Sequence, residues 1–411
     1  VFSGLICKAT VQMSELHKKA LRSNIGSLPP HPGGSGAGLS NTKHAMRRKK
    51  DYNPVKWSEY FSNRKVIERE GDKICAYEKG EEGPLLVLLH GGGFSALTWS
   101  LFTKEIVGII KCRVLAIDLR GHGSTVTAGD DDLSAEKLAY DVVDTINLTY
   151  EGDPPPTILI GHSMGGAIAV HIASMNILSA LIGMAVIDVV EGTAMEALAN
   201  MQSYLRGRPK SFTSISNAIE WSVRTGHVRN LDSAKVSMPG QIVNSKNDLL
   251  AAEEICNEIE NLSDHPSEEK YLRYDPVDAI KEEDEEEASN NEKLHEKVFK
   301  TPNSQNSSSY VWRIDLSKTE QYWSGWFSGL SEKFLSCPVA KLLLLAGVDR
   351  LDRELTIGQM QGKFQMQVLG HCGHVVHEDV PGDVADVIAS FLVRNKFAEA
   401  THEFHQAVPS C

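Results

Sequence analysis

Nowhere in this chain does an apolar run reach the ~18 residues that a membrane-crossing helix needs, so no membrane span is expected. Basic residues are in deficit. Lys and Arg number 42 against 54 Asp and Glu, a formal net charge of −12, which argues against a nucleic-acid footprint. Cysteine is sparse: seven residues, an odd number, scattered from Cys7 to Cys411 with no C-x-x-C pair. That excludes a disulfide scaffold as the organising principle and suits a reducing compartment, cytoplasmic or nuclear. The residues before Met13 hold a short apolar patch without the layout of a secretory signal. Internal repeats are lacking.

What is present reads as an α/β protein. A chain of 411 residues holds one large α/β domain with insertions, or two domains. Residues 1–50 are expected to be a disordered tail, rich in Pro, Gly and Ser around "PPHPGGSGAGLSNTK" and ending in the basic run "MRRKK". From 51 to 191, apolar strand candidates ("CAYEKG", "GPLLVLLH", "RVLAID", "PTILIG", "ALIGMAVIDVV") alternate with helix candidates. "SAEKLAYDVVDTINLTY" has apolar spacing near three and four, with Ser134 as its expected cap. The alternation implies a mostly parallel sheet flanked by helices. It is interrupted over 192–337. This insertion begins with helical segments and passes through the acidic run "IKEEDEEEASNNEKLHEK", which cannot form a core. It ends in a tryptophan-rich segment. A helical lid with a disordered acidic loop at about 261–309 is the expectation. The core resumes over 338–397 with "KLLLLAGVD", "FQMQVLG" and a closing helix, followed by a C-terminal tail, 398–411.

The chemistry centres on "PTILIGHSMGGAIAVHIA". A short β-type run leads into Gly161-His162-Ser163-Met164-Gly165, a G-x-S-x-G match, and then into small residues with helical spacing. In such a strand-turn-helix the serine sits on a strained backbone that pushes its hydroxyl outward, at the positive end of the following helix. Ser163 is therefore the candidate nucleophile. It needs a base, and neutral histidine suits that near pH 7. "HCGHVVHEDV" lies between the last strand and the closing helix and offers His371, His374 and His377. His374, after a flexible Cys-Gly, is preferred to His371. The H-x-x-H-x-x-H spacing also invites a metal, but no matching carboxylate-histidine pattern completes one, so no metal and no cofactor are expected.

"HGGGF", at 90–94, follows a core strand. Gly92 or Gly93 would supply one oxyanion-hole N–H, and Met164 the other. No Lys-Ser/Thr follows these glycines, which disfavours a phosphate loop. The acid is open on these grounds. Asp188 ends the strand after the nucleophile helix. Asp349 and Asp352 follow "LLLLAGV", the more usual place, and carry slightly more weight.

The sequence resembles the protein phosphatase methylesterases. The likeness runs from about Asp51 to Phe397 and is carried by "LLHGGG", "LIGHSMGGAIAVH", "IDVVEGTAMEAL", "LRGRPK", "NAIEWSV", "YWSGWF", "CPVAKLLLLAGVDRLD", "TIGQMQGKFQMQVL" and "CGHVVHED". The resemblance implies an α/β-hydrolase fold and a cofactor-free serine esterase. Its substrate would be the methyl ester on the C-terminal leucine of type 2A protein phosphatase catalytic subunits, with their holoenzymes as partners. It also moves the acid to Asp188, in "IDVVEG". Two other readings compete: a phosphatase-binding inhibitor or holding factor, and a broad small-ester carboxylesterase. Trp323 and Trp326 are expected either to contact the phosphatase tail or to fill the lid core. In "VDAIKEE", Val277, Ile280 and Glu282 resemble a short docking motif read by regulatory subunits of the same phosphatase.

Overall fold

The computed structural model describes residues 50–263, 309–347, 351–404 and 406–407. The expected N-terminal tail up to residue 49, the acidic segment 264–308 with Val277, Ile280 and Glu282, and Asp349 lie outside the described residues. Strands β1 (Asn63–Arg69), β2 (Asp72–Lys79), β3 (Leu85–Leu89), β4 (Arg113–Ile117), β5 (Thr157–His162), β6 (Leu181–Ile187), β7 (Ile242–Asn244), β8 (Tyr310–Trp312), β9 (Ala340–Leu345) and β10 (Gln365–Val368) form two sheets. The large one has eight strands in the order β1-β2-β4-β3-β5-β6-β9-β10, and β7 and β8 pair separately. β1 and β2 join antiparallel, and the pairs from β4 to β10 are parallel.

The central strands are apolar without alternation because helices cover both faces. In β3, all five residues are buried. Leu85, Val87 and Leu89 join a core with helices Ala135–Thr149 and Met164–Met175. Leu86 and Leu88, pointing the other way, join a second core with helices Ser100–Ile109 and Pro381–Arg394. Ser134 stands at the expected N-cap position, but its side chain makes no capping bond. β1 escaped the sequence reading because it is an edge strand with mostly exposed, charged positions and no clean alternation. Beyond the closing helix the chain stays docked: Lys111 N donates to Glu399 O and Arg394 Nη2 to Ala407 O, both at 2.9 Å.

Between β6 and β9 stands the insertion. Helices Ile215–Thr225, Leu231–Ser237 and Ala251–Ser263 accompany the β7–β8 ribbon, preceded in the chain by helix Glu191–Arg206. A third small core of Phe212, Ala218, Ile219, Val228, Ala234, Met238, Ile242, Ala251 and Tyr310 holds part of it together. Ser214 caps Ile215–Thr225 by accepting from Asn217 N, and Gly226 ends it at φ 72°. The helix Ala251–Ser263 runs past residue 261, where the acidic loop was expected to begin. Helix Glu191–Arg206 buries no residue fully. Its Ala194, Leu198, Met201 and Leu205 recur at helical spacing and rest on the first core as a roof.

Candidate active site

Parallel strands bring their carboxyl ends to one rim, where α/β sheets assemble sites. Register aligns Leu89 with Gly161, His162 with Ile187, and Ile187 with Leu344. The residues just after these strands (Gly92 after β3, Ser163 after β5, Asp188 after β6) therefore emerge side by side. His374 arrives from the loop after β10.

Ser163 has φ 52° and ψ −120° and stands at the N-cap of Met164–Met175. Its own N–H donates to Ile187 O at 3.0 Å. Such a backbone costs about 1–3 kcal/mol, and the flanking glycines make it sterically feasible. A Cβ on Gly161 would stand 2.2 Å from Gly165 O, and one on Gly165 would stand 2.3 Å from Leu89 O.

Asp188 also holds a positive φ, 52°. Its side chain is buried. His374 Nδ1 donates to its Oδ2 at 2.8 Å, and Ala346 N donates to its Oδ1 at 3.0 Å. The structure thus brings His374 to Asp188. Asp352, the rival acid, is engaged elsewhere. It caps helix Arg353–Met360 by accepting from Leu355 N at 2.8 Å, and it accepts from Ser331 Oγ at 2.5 Å.

Of the proposed oxyanion donors, Gly92 and Met164 line the cavity. Gly93 lines it too, but its N–H is committed. It donates to the buried His122 Nε2 at 2.8 Å. His122 Nδ1 donates to Arg120 O at 2.8 Å, and burial pulls its pKa down to about 4, so it stays a neutral acceptor. His90 is held neutral by burial as well, and it accepts from Leu119 N at 3.0 Å.

Two groups that the sequence reading missed hold the His374 loop. His162, inside the G-x-S-x-G motif, donates from Nε2 to His374 O at 2.8 Å; burial keeps its pKa well below the usual histidine value. Asp379 accepts from Gly373 N at 2.6 Å and from Arg229 N at 2.8 Å. The three histidines of H-x-x-H-x-x-H do not converge. His371 is exposed, His374 faces Asp188, and His377 is buried and stacked on Trp99 with ring centroids 4.0 Å apart. Among the described residues no cluster of His, Cys, Asp or Glu is arranged to hold a metal ion.

Ser163, Asp188 and His374 share a cavity of about 670 Å³ with a mostly apolar wall that includes Val190, Leu198, Met201, Leu316 and Phe327. Trp323 and Trp326 are both lid core and cavity wall. They are buried, and their indole N–H groups donate to Thr319 Oγ1 at 2.8 Å and Leu133 O at 2.7 Å. Arg208 and His227 complete the rim and were not foreseen. His227 stacks on Phe94 with centroids 5.1 Å apart and planes 4° from parallel.

Comparison with known proteins gives a consistent result. A model of the alpha/beta hydrolase family matches residues 86–387. "Protein phosphatase methylesterase 1" of Mus musculus is 50% identical over 405 residues, covering 97% of this chain and all of its own. "Probable protein phosphatase methylesterase 1" of Caenorhabditis elegans is 41% identical, over 91% of this chain and 84% of its own. Among solved structures, E-2-(acetamidomethylene)succinate hydrolase aligns with a TM-score of 0.53 at 16% identity, over 80% of this chain and 99% of its own. A Mycobacterium tuberculosis esterase aligns with 0.52 at 16%, over 80% and 92%. At that identity the likeness speaks for the fold alone.

Proposed function

Because the chain belongs to the protein phosphatase methylesterase family of alpha/beta hydrolases, we propose that it removes the methyl ester from the C-terminal leucine of a type 2A protein phosphatase catalytic subunit. The observation that carries the reading is the 2.8 Å contact of His374 Nδ1 with buried Asp188, facing the cavity that Ser163 lines. Asp188 fixes the tautomer that leaves Nε2 of His374 free to take a proton. Ser163 Oγ attacks the ester carbonyl as His374 accepts its proton. The N–H groups of Gly92 and Met164 hold the developing oxyanion, Met164 adding the positive end of its helix. His374 then protonates the departing methoxide, which leaves as methanol. Water, deprotonated by the same imidazole, attacks the acyl-enzyme and frees the carboxylate.

A methyl group offers little surface to bind, so selectivity must come from the acyl side. The apolar wall under the roof helix suits a leucine side chain, and Trp323 and Trp326 supply its floor. Segment 264–308, with the docking motif proposed at Val277, Ile280 and Glu282, would serve phosphatase holoenzymes. Among the described residues no helix is long and apolar enough to cross a membrane. The test is loss of the methyl group from a carboxymethylated phosphatase catalytic subunit on incubation with the purified protein. Ser163→Ala is expected to abolish that loss while still capturing the phosphatase in a pull-down. Turnover by Ser163→Ala would overturn the mechanism, and capture by the wild type without demethylation would favour a holding factor instead.

A further inference from the structure

Arg208 is a cation without an anion. It lies just beyond the roof helix Glu191–Arg206, and among the described residues its guanidinium has no hydrogen bond or ion pair; its Nε is fully buried and unpartnered. Leaving a charged donor buried and unmatched is costly, so a fold that keeps one there has a use for it or a ligand that completes it. Its position is fixed by stacking: Cζ lies 3.5 Å from the centroid of the Trp312 ring. Trp312 is itself anchored by donating from Nε1 to Pro209 O at 2.8 Å. Cation–π contact of this kind orients the planar fork without occupying its N–H donors.

The fork is held at the catalytic rim. A methyl group placed on Gly93 would lie 3.8 Å from Arg208 Nη1, and one placed on Gly92 would lie 3.7 Å from Met164 Sδ. The cation therefore borders the same turn that provides Gly92. Burial pulls its pKa down to about 10, which leaves it charged at neutral pH. Among the described residues lining the cavity, Asp188 is the only carboxylate, and it already accepts from His374 and Ala346. Arg208 is likewise the only Lys or Arg among those described lining residues. Among the described residues none supplies its anion, and a bound ligand would.

We propose that Arg208 is a specificity-determining residue whose guanidinium receives a carboxylate of the bound acyl chain. The inference rests on the esterase reading above and deepens it. A planar fork next to the reacting centre matches a carboxylate in two-point geometry. Two sources share that chemistry: an acidic side chain near the ester in the substrate, and the carboxylate that ester hydrolysis itself creates. In the first case Arg208 selects acidic peptide esters. In the second it retains the product and makes the enzyme sensitive to product inhibition.

The experiment uses the full chain and its Arg208→Gln and Arg208→Lys variants, with two leucine methyl ester peptides that differ by one Asp or Asn near the C-terminus. The free acid of the Asn peptide serves as inhibitor. For an acidic side chain, the wild-type kcat/KM ratio of Asp to Asn ester is expected to exceed one. Arg208→Gln should lower it by about 10- to 100-fold, the span of a charge-assisted hydrogen bond. Arg208→Lys should restore part of it. For the product carboxylate, the ratio stays put and the inhibition constant of the free acid rises by a similar factor. An unchanged ratio together with unchanged inhibition overturns the proposal, as does an equal loss on both esters with inhibition unaltered. If the wild type cleaves neither ester, the esterase reading itself fails, and that result is separate from any effect of Arg208.

Discussion

Replacing Asp188 by Asn isolates one proton. The carboxylate works at both oxygens: Oδ2 accepts from His374 Nδ1 at 2.8 Å and Oδ1 accepts from Ala346 N at 3.0 Å. An amide has one oxygen. If that oxygen faces His374, the NH2 group meets the Ala346 N–H, donor against donor, in a buried place. If the NH2 faces His374, Nδ1 must become the acceptor, and the imidazole proton moves to Nε2, where it can no longer take the proton of Ser163. Either way the buried negative charge that would balance the imidazolium is gone. For triads disrupted in this manner the loss is about 10³- to 10⁴-fold in kcat, or about 4–5.5 kcal/mol in barrier. The assay is steady-state hydrolysis of a leucine methyl ester peptide, with melting followed in parallel to separate catalysis from folding. Asp352→Asn is the control. It keeps the oxygen that caps Leu355 N and changes only the acceptor of Ser331 Oγ, so it should lower stability by about 1 kcal/mol or less and spare turnover. Should Asp188→Asn retain a tenth or more of wild-type kcat while folded, the assignment of the acid is wrong.

Other consequences are as direct. Gly165→Ala should destabilise the fold by about 3 kcal/mol or more, because the new Cβ would meet Leu89 O at 2.3 Å; a wild-type urea midpoint would refute the packing argument. Asp379→Ala releases Gly373 N and Arg229 N and should lower kcat about tenfold with little change in KM, since it loosens the base and touches no substrate. Glu378 is fully buried, and burial raises its pKa to about 8, above the ~4.3 of an unfolded glutamate. The native state therefore holds the extra proton. Its stabilising share is full below about pH 4.5 and is lost as pH rises through about 8. His122 and His377, depressed to about 4 and about 3, act oppositely, losing stability as pH falls below ~6.5. Glu378→Gln should thus gain on the wild type steadily between pH 5 and 8.5 in denaturant titrations. Parallel curves would rule this linkage out.

The core strands were legible because burial on both faces leaves a continuous apolar run, and "LLVLL" or "TILIGH" has few other uses. Ser163 was legible because only glycine fits on either side of it. The acid was not legible from local pattern. Asp188, Asp349 and Asp352 each follow an apolar strand, and only the fold places Asp188 against His374 and Asp352 on a helix cap. His122 and Arg208 escaped for a related reason. A histidine that orients a loop amide and an arginine stacked on Trp312 depend on partners 29 and 104 residues away in sequence. Spacing along a chain carries no trace of them. The Gly93 amide, expected in the oxyanion hole, is claimed by His122 for the same non-local reason.

The crowd of histidines around the site has its own logic. His162 stands 4.7 Å from His374, ring to ring, and 4.7 Å from His377. If His162 were charged when His374 takes the serine proton, two cations at that separation would repel by about 3.5 kcal/mol at an effective dielectric of ~20. That would raise the barrier by more than two decades in rate. Burial prevents this by holding His162 and His377 neutral. His374 differs in having a side chain half open to solvent and a buried carboxylate at Nδ1. Neutral rings thus supply the amide acceptor for Gly93 and the donor to His374 O without adding a charge. Lysine or arginine in place of His162 would supply the donor at the cost of the field, and in place of His122 could not accept from Gly93 N at all. In the proposed mechanism the imidazolium at His374 therefore has Asp188 as its facing partner, and an oxyanion at Gly92 and Met164 would be matched by backbone dipoles.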